Sequence, residues 1–503
     1  MVWVQLSAQY GIIKVPYSTI YMEPEFAFSI ALPPPGSREL LRSVHAQLRT
    51  AIVNGRLRPG LRLPTTRAFA ATYGVSRNVA VATYDLLASE GYLLARGKAG
   101  TFVAGTLPQL ASHRPSPDGR SRDRRLSAFW RAHALSEAPQ SPSRRFDFRL
   151  GIPDQEHFPF QMWQRLSARA LRAWARAPVG YASPQGQPAL REAIARHVAF
   201  ARAVACQADD IVVTAGAQQA FDLLARILVT AGRTVVALEN PGYPPMRAAF
   251  AAAGARIVPV RVDGEGLVVE SLPRDARVIC VMPSHQFPLG VVMSARRRAG
   301  LLEFAQQRGA VVIEDDYDGE YRFGGRPLDA LQTLDRGACV FYVGTFSKSL
   351  FPALRLGFVV APPWARAALT AAKQDADSHS APITQDTLAA FIGEGHLARH
   401  VRKMRRIYAS RRDLLLQLLR RDLSRWFEIV PGSAGLHLTA FATAKLDLDS
   451  VVRRAAQNEL GIHPLRPYYV GRPQRQGLVF GYGTIDEAGI TAGLARLRRL
   501  CSG

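Results

Sequence analysis

The sequence predicts a multidomain protein, in which a small, mostly α-helical domain with a β-hairpin precedes a large α/β domain that ends in a smaller α+β lobe. Apolar residues at helical spacing begin at Leu40 and give way to a glycine-rich hairpin near residue 100. From Phe146 onward, short β-branched runs alternate with amphipathic helical stretches, which is typical of a mostly parallel sheet. We divide the chain into an arm, 1–37, a small domain, 38–104, a flexible linker, 105–145, and a large domain, 146–503.

Composition limits the kind of protein this chain can be. Its 503 residues carry a formal net charge of +24, which suits a polyanionic partner. No apolar run is long enough to cross a bilayer, and no signal pattern opens the chain, so we expect a cytosolic protein without a membrane partner. The four cysteines are widely spaced and form no Cys-x-x-Cys pair, so we expect reduced thiols and no metal site.

The arm and the linker show little pattern. The arm ends in Leu-Pro-Pro-Pro-Gly, which neither a helix nor a central strand tolerates, and Met22 is an alternative start. The linker is rich in proline, serine and arginine, with one short helix expected near Leu126–Ala134.

Three helices are predicted in the small domain. The first runs from Leu40 to Ile52, before the helix-stopping pair Asn54-Gly55. Thr65 or Thr66 caps a short second helix. After the turn Gly74-Val75-Ser76, Ser76 caps a third helix. The residues of that helix that we expect to face inward are Val79, Ala82, Leu86 and Leu87.

A basic hairpin follows the third helix. Two short strands, 92–95 and 101–103, flank the glycine-rich run Arg96–Gly100. Three helices followed by such a hairpin form the layout of a winged helix-turn-helix, in which the start of the last helix contacts base edges in the major groove. Arg77 is suited to a bidentate guanine contact, Asn78 to adenine or a phosphate, and Lys98 to the minor groove. Residues placed to meet phosphates are Thr65, Thr66 and Arg67.

The alternative for the small domain is a structural helical domain with solvated arginines. Its turn chemistry, its caps and its basic hairpin all favour DNA binding instead. The stretches Gly55–Arg67 and Tyr73–Arg77 resemble the GntR family of bacterial regulators, and the match covers nearly the whole small domain. The resemblance implies a DNA-binding domain.

Seven short β-branched runs predict the strands of the large domain. They are Ile211–Val213, Val235–Leu238, Arg256–Val260, Val278–Met282, Val311–Glu314, Cys339–Val343 and Phe358–Val360. Helical stretches such as 217–230 and 295–308 separate them, and the residues from about 365 onward predict the smaller lobe.

Polar groups follow three of these strands. Ala217 and Gln218 come after a glycine turn at the start of a helix, where backbone N–H groups bind phosphate. Glu314-Asp315-Asp316-Tyr317 ends a second strand. Thr345-Phe346-Ser347-Lys348-Ser349 ends a third, with Arg355 seven positions after the lysine. Each motif alone is weak evidence. Together they provide a lysine, a carboxylate, a phenol and phosphate ligands, which are the groups that bind pyridoxal phosphate.

Several stretches resemble fold-type I aminotransferases. They are Gly180–Gly186, Glu239–Tyr243, Pro283–Gly290 and the lysine segment 345–357. The whole chain, over about 38–490, resembles the MocR subfamily of GntR regulators, which joins a DNA-binding domain to an aminotransferase-like domain. The resemblance therefore implies a pyridoxal-phosphate-dependent transferase fold of type I for residues 146–503.

The resemblance also implies roles for individual residues. Lys348 would form the Schiff base with the cofactor, Asp315 would lie near the pyridine nitrogen, and Tyr317 near the ring hydroxyl. Tyr243 would stack on the ring, and Tyr181 would reach across from the partner subunit of a homodimer. The residues that would hold the phosphate are Ala217, Gln218, Ser347 and Arg355.

Two departures from the aminotransferase pattern affect the site. The usual Asn-Pro-x-Gly turn is Phe287-Pro288-Leu289-Gly290, so His285 or Gln286 must replace the asparagine at the ring hydroxyl. The strand that usually supplies an arginine for the substrate carboxylate reads Gly477–Gly481 without one, so Arg466 or Arg475 would bind the effector instead.

We therefore predict a pyridoxal-phosphate-binding transcriptional regulator of amino-acid, amine or vitamin B6 metabolism. It would bind double-stranded DNA with paired half-sites, and it would sense an amine, an amino acid or the cofactor itself. A kept cofactor anchor without the usual carboxylate arginine favours binding over turnover, with half-transamination as the remaining chemistry. The alternative is an active aminotransferase that carries a DNA-binding domain. A third possibility, a pure dimerisation scaffold, does not require the cofactor-binding residues.

Overall fold

The computed structural model describes residues 28–34, 37, 39–105, 125–133, 144–177, 180–324, 329–443 and 446–502. The chain forms two compact units, 1–121 and 122–503. The expectations for most of the arm and most of the linker lie outside the described residues. Among the helices that are described, none is long and apolar enough to cross a membrane.

The first unit consists of helices packed beside a hairpin. Its elements are α1 Leu40–Val53, α2 Thr66–Tyr73, α3 Arg77–Ser89, β1 Leu93–Ala95 and β2 Thr101–Val103. The strands pair in antiparallel fashion, and a bridge from Arg62 to Phe102 adds the segment before α2 to the hairpin. Val44, Leu48 and Phe69 lie at the centre of its core. The predicted winged helix-turn-helix is confirmed.

The buried face of α3 differs from the predicted face. The structure buries Ala80, Thr83, Tyr84 and Leu87, whereas Leu86 is 42% exposed. Residues three and four apart share a helix face, so burial of Leu87 selects positions 83, 84 and 80 and turns its neighbour Leu86 by roughly 100° into solvent. The expectation for Leu86 was therefore wrong, because two adjacent leucines give no information about which one faces inward.

The second unit is built on an eight-stranded sheet. In chain order, the strands of this unit as far as residue 360 are β3 Phe146–Asp147, β4 Ile211–Thr214, β5 Val235–Asn240, β6 Arg256–Asp263, β7 Gly266–Leu267, β8 Ala276–Val281, β9 Val311–Asp316, β10 Val340–Thr345 and β11 Gly357–Val360. All of them except β3 form the sheet, in the order β4-β11-β10-β9-β8-β5-β6-β7. The central strands are parallel, and β11 is antiparallel to both neighbours. The predicted mostly parallel α/β domain is confirmed.

Helices surround this sheet and continue into the smaller lobe. They are α4 Ala128–Ala132, α5 Phe160–Trp174, α6 Pro188–Arg202, α7 Ala217–Leu228, α8 Pro244–Ala252, α9 Ala295–Arg308, α10 Leu331–Leu334, α11 Arg366–Asp377, α12 Pro382–Gly393, α13 His396–Asp422, α14 Leu448–Gln457 and α15 Glu487–Ser502. Phe221 and Phe250 from these helices pack with Phe341 of the sheet in one apolar core.

The smaller lobe is formed from both ends of the second unit. Its strands are β12 Phe427–Ile429, β13 His437–Ala442, β14 Leu460–Gly461, β15 His463–Pro464 and β16 Gly477–Gly481. The antiparallel sheet has the order β12-β13-β16-β15, while β14 pairs with β3. Phe148 lies fully buried in the core of this lobe with Leu415 and Phe480. The chain therefore enters the large domain through its C-terminal lobe, which the sequence did not indicate.

We predict that Ser76→Ala destabilises the first unit by about 1 kcal/mol. The Ser76 hydroxyl accepts a hydrogen bond from the Val79 N–H at 3.3 Å, which satisfies a donor at the start of α3. The shift is to be measured as a lower midpoint of the first unit's transition in calorimetry of the full chain. Ser89→Ala is the matched control, because the Leu86 carbonyl that Ser89 contacts keeps its bond from the Glu90 N–H. Equal shifts in both variants would contradict the assignment of the cap.

Candidate functional site

The predicted cofactor residues lie at one edge of the large sheet. Strand β10 is parallel to β9, and β4 runs in the same direction as β10 because β11 is antiparallel to both. The carboxyl ends of β4, β9 and β10 therefore lie at the same edge. The segments after these ends carry Ala217, Tyr317 and Lys348 respectively, so the topology brings together motifs that are far apart in sequence.

Lys348 extends from the segment after β10 to the segment that opens the large domain. Its Nζ donates a hydrogen bond to the Gly151 carbonyl at 2.7 Å. Burial lowers the pKa of the Lys348 amine, and the nearby carboxylates of Asp318 and Asp315 oppose that shift. A lower pKa increases the fraction of neutral amine, which is the form that reacts with an aldehyde.

Asp315 is a buried carboxyl near this amine. Burial, followed by the charges of Asp316 and Asp318, raises the pKa of Asp315 to about 8. Among the described residues, none forms a hydrogen bond with its Oδ1, which is shielded from solvent. An unpaired buried carboxylate is costly. A protonated ring nitrogen would provide the missing partner, so this residue fits the role predicted for it.

The two acidic neighbours of Asp315 are paired within the protein. Glu314 accepts hydrogen bonds from the backbone N–H groups of Leu331, at 2.8 Å, and Gln332, at 2.9 Å. Asp316 contacts Arg202 Nε at 2.6 Å and the Tyr342 hydroxyl at 2.7 Å. Both side chains therefore have structural partners in the fold.

A positive end of the site forms where α7 begins. Gly216 precedes the helix with φ +80°, and a Cβ there would lie 3.1–3.2 Å from the Arg355 guanidinium. Arg355 Nη2 donates to the Ala215 carbonyl at 2.6 Å. A guanidinium beside free N–H groups at a helix start suits a phosphate, so the absence of a side chain at Gly216 leaves room for this cradle.

The other predicted phosphate residues lie around this end. Ala217 is the first residue of α7. The exposed Gln218 donates through its amide to the Pro245 carbonyl at 3.1 Å. The Ser347 hydroxyl lies 3.1 Å from Thr345 Oγ1. Their contacts with phosphate stay predictions.

The structure distinguishes the two candidates for the asparagine's place. His285 Nδ1 lies 2.9 Å from the Tyr317 hydroxyl and 3.0 Å from Asp318 Oδ2. The Gln286 side-chain amide donates to two backbone carbonyls instead, that of Pro241 at 2.8 Å and that of Phe287 at 2.7 Å. His285 is therefore the candidate that contacts the predicted cofactor tyrosine.

Two further tyrosines complete the predicted cofactor set. Tyr243 stands before α8, with its ring 5.7 Å from that of Phe287 in an edge-on arrangement. Tyr181 is 91% exposed, and its ring lies 6.0 Å from His379. Ring stacking by Tyr243 and the action of Tyr181 in a partner subunit stay predictions.

The two effector-binding arginines occupy different surroundings. Arg475 forms an ion pair with Glu428, and its guanidinium lies 3.9 Å from the Phe441 ring centroid. It lines a cavity of about 930 Å³ whose lining residues do not include Lys348. Arg466 is exposed at the start of a short 3₁₀ helix, Arg466–Tyr468. Neither arginine is among the groups that shift the pKa of Lys348, and their role stays a prediction.

The predicted DNA-reading residues lie at the starts of α2 and α3. Arg77 and Asn78 are exposed in the first turn of α3, after the cap Ser76. Thr65 is the cap of α2, since its hydroxyl accepts from the Ala68 N–H at 3.2 Å. Thr66 is thus the first residue of α2 and does not cap it, and the next residue, Arg67, is exposed. The side chain of Lys98 lies outside the described part of the structure. The DNA contacts of all these residues stay predictions.

Comparison with known proteins agrees with both units. The family model of bacterial regulatory proteins of the gntR family matches residues 40–103, and that of aminotransferases of class I and II matches residues 153–476. The probable rhizopine catabolism regulatory protein MocR of Rhizobium meliloti is 39% identical over 91% of this chain and 92% of its own. The chain belongs to the MocR subfamily of GntR regulators. The pyridoxine biosynthesis regulator PdxR of Corynebacterium glutamicum is 31% identical over 91% of this chain and 95% of its own.

A solved aminotransferase structure is similar to the large domain of this MocR-type protein. The α-aminoadipate aminotransferase LysN of Thermus thermophilus, determined with N-(5'-phosphopyridoxyl)-L-leucine, has a TM-score of 0.65 and 30% identity, and the match covers 71% of this chain and 92% of that one. The aminotransferase-like domain binds pyridoxal phosphate. The unpaired Asp315 Oδ1 and the Gly216–Arg355 cradle fit this cofactor.

Sequence reasoning missed three groups in the site. The Asp318 carboxylate contacts His285. His437 donates a hydrogen bond from Nε2 to the Pro288 carbonyl at 3.0 Å. The Gly151 carbonyl accepts a hydrogen bond from Lys348. Asp318 follows Tyr317 directly, so its position was a usable signal.

We predict that Lys348→Ala abolishes the visible absorption band that the wild-type protein acquires with pyridoxal phosphate, because that band requires a covalent imine with the lysine amine. Absorption spectroscopy and borohydride reduction followed by peptide mass analysis measure this. Lys403→Ala, at an exposed position on α13, is the control and should retain the band. A reducible adduct that persists in Lys348→Ala at the same site would contradict the assignment.

Proposed function

We propose that this MocR-type regulator acts in the cytosol as a homodimer that senses a small molecule at Lys348. The effector would be a primary amine, an amino acid or pyridoxal phosphate itself. The observation that carries the proposal is that Lys348, Asp315, Tyr317 and Arg355 lie at one sheet edge, in a chain whose first unit is a winged helix-turn-helix of the gntR family. This set of groups supports chemistry with amines at a bound aldehyde.

Sensing requires that the effector bind one state of the regulator more tightly than another. An effector that occupies Lys348 would alter DNA binding only by such differential affinity. The names of the relatives connect such regulators with rhizopine catabolism and with pyridoxine biosynthesis. They support a role in amino-acid, amine or vitamin B6 metabolism.

Exposed aromatic side chains support the homodimer. Tyr181 is 91% exposed and Phe200, at the end of α6, is 95% exposed. Large exposed aromatic rings are enriched at interfaces between proteins. A dimer would cover these rings, and it would bring two recognition helices to DNA, as paired half-sites require.

The second candidate function is an active aminotransferase with a DNA-binding domain. The kept cofactor residues and the resemblance to LysN favour it. Strand β16, however, reads Gly477–Gly481 without the arginine that this strand usually supplies in aminotransferases. Incubation with an amino acid panel and 2-oxoglutarate separates the two functions, since efficient multiple turnover would favour the enzyme.

We predict that Arg77→Ala weakens binding to the protein's own promoter region and relaxes base preference at one position in each half-site. A bidentate contact from arginine to guanine is worth roughly 1–3 kcal/mol of discrimination, which corresponds to a loss of about 5- to 150-fold. Mobility-shift titrations at two salt concentrations, with promoter variants at each base pair, measure this effect.

Arg42→Ala is the matched control for that experiment. Arg42 is an exposed arginine of α1 in the same unit, so its substitution removes one positive charge without changing α3. It should leave base preference unchanged. If Arg77→Ala selects the promoter as tightly and as specifically as the wild type, α3 is not the recognition helix.

We predict that Tyr181 serves the cofactor site of the partner subunit. Tyr181→Phe should weaken cofactor binding, while the mass from light scattering remains that of two chains. A mixed dimer of Lys348→Ala and Tyr181→Phe chains should regain one site of wild-type affinity, because the wild-type tyrosine of one chain then meets the wild-type lysine of the other. Titration of the visible band in the mixture measures this. The role of Tyr181 in the partner subunit would be contradicted if the mixture bound the cofactor with the average affinity of the two variants, or if light scattering gave the mass of one chain.

A further inference from the structure

A histidine that is buried behind the cofactor tyrosine links two parts of the site. His285 is 2% exposed and lies in the turn after β8. Its Nδ1 lies 3.0 Å and 3.1 Å from the two carboxylate oxygens of Asp318, and 2.9 Å from the Tyr317 hydroxyl. One ring nitrogen therefore faces a carboxylate and a phenol at the same time.

The chemistry of these groups fixes where the hydrogens lie. An ionised carboxylate can only accept, so Asp318 keeps a hydrogen on His285 Nδ1. The Tyr317 oxygen, at 2.9 Å from the same nitrogen, must then also accept. The hydrogen of the Tyr317 hydroxyl consequently points away from the imidazole. It is left to donate to another acceptor within the site.

The backbone of the smaller lobe holds the imidazole in place. Gly435 has φ +81°, and a Cβ there would lie 1.9 Å from His285 Cε1. Only glycine permits this close approach. On the same side, the His437 ring lies 4.6 Å from that of His285, and its Nε2 is 3.0 Å from the Pro288 carbonyl. The ring orientation, and with it the hydrogen on Nδ1, is thus fixed by packing.

Several charged and titratable groups face the Tyr317 hydroxyl. Asp318 and Asp315 come from the segment that carries the tyrosine, Glu239 from the end of β5, and Tyr482 from the residue after β16. His285 and His437 lie behind it. Burial, followed by the carboxylates, raises the pKa of Tyr317 well above its usual value, so this hydroxyl keeps its hydrogen at neutral pH.

We propose that His285 is a positioning residue that forces Tyr317 to act as a hydrogen-bond donor toward the ring oxygen of pyridoxal phosphate. The inference rests on the proposed function, in which the cofactor occupies this site and Tyr317 meets its ring hydroxyl. His285 acts through the tyrosine, and Asp318 fixes its tautomer. In this chain, the place of the asparagine that donates directly in aminotransferases is taken by a histidine that orients another donor.

The direction of the effect follows from charge. A donor at the ring oxygen is most strongly bound when the nitrogen that joins Lys348 to the cofactor has lost its proton, because the oxygen charge is then not shared with that proton. The oriented Tyr317 therefore lowers the pH midpoint at which the visible absorption of the bound cofactor changes. Removing the orientation should raise this midpoint.

The test is a spectroscopic pH titration of the cofactor-loaded full-length protein. His285→Leu should raise the midpoint by roughly one unit, in the direction of Tyr317→Phe. The double variant should titrate like Tyr317→Phe alone, since the histidine acts only through the tyrosine. His285→Asn should stay close to wild type, because its side-chain amide places an N–H near the position of Nδ1.

The outcomes distinguish this inference from the function on which it rests. A wild-type protein that acquires no visible band with pyridoxal phosphate would overturn the proposed function. A wild type that titrates, with His285→Leu at the same midpoint or with additive shifts in the double variant, would overturn the role of His285 alone. If His285→Leu does not fold by circular dichroism, His285→Phe, which keeps an aromatic ring but has no N–H, decides: an unchanged midpoint overturns the proposal.

Discussion

Three consecutive buried carboxyl groups at the end of β9 impose the constraint on which the site depends. Like charges at such short spacing are costly in a protein interior, and each must find its own partner. Backbone N–H groups serve Glu314, and Arg202 with Tyr342 serves Asp316. Asp315 Oδ1 remains without a partner among the described residues, and burial with the adjacent charges raises the pKa of this carboxyl to about 8. The fold stabilises the outer two groups and leaves the middle one available for the protonated ring nitrogen that we predict beside it.

Compared with aminotransferases, the site has the residues that are predicted to bind the cofactor, but it lacks the usual arginine for the substrate carboxylate. Lys348, Arg355 and the start of α7 lie at this edge, as binding of a phosphorylated aldehyde would require. Strand β16, Gly477–Gly481, lacks the arginine that this strand usually supplies in aminotransferases. Turnover requires tighter binding of the transition state than of the substrate, whereas a sensor needs only a difference in affinity between two of its own states. A site that keeps the first set of contacts and loses the second is suited to the sensor.

Local signals in the sequence predicted most of the fold. Each predicted strand of the large sheet is present, and the cap at Ser76 forms as its residue type indicated. The inward orientation predicted for Leu86 was wrong, because Leu86 and Leu87 are equivalent in composition and only tertiary packing chooses between them. The contacts that the smaller lobe makes with His285, through Gly435 and His437, were not predictable, because these residues lie far from His285 in sequence. Such partners are set by the folded topology and leave no periodic pattern in the chain.

The hydrogen bond from Lys348 to the Gly151 carbonyl ties the chemistry of one side chain to the path of the backbone. When an aldehyde takes the lysine nitrogen, this carbonyl loses its donor and must find water or another group. Gly151 lies just beyond Phe148, which is anchored in the core of the smaller lobe, and the stretch that contains both begins where the linker ends. A bond between the lysine nitrogen and an aldehyde would therefore change the hydrogen bonding of the segment with which the large domain begins.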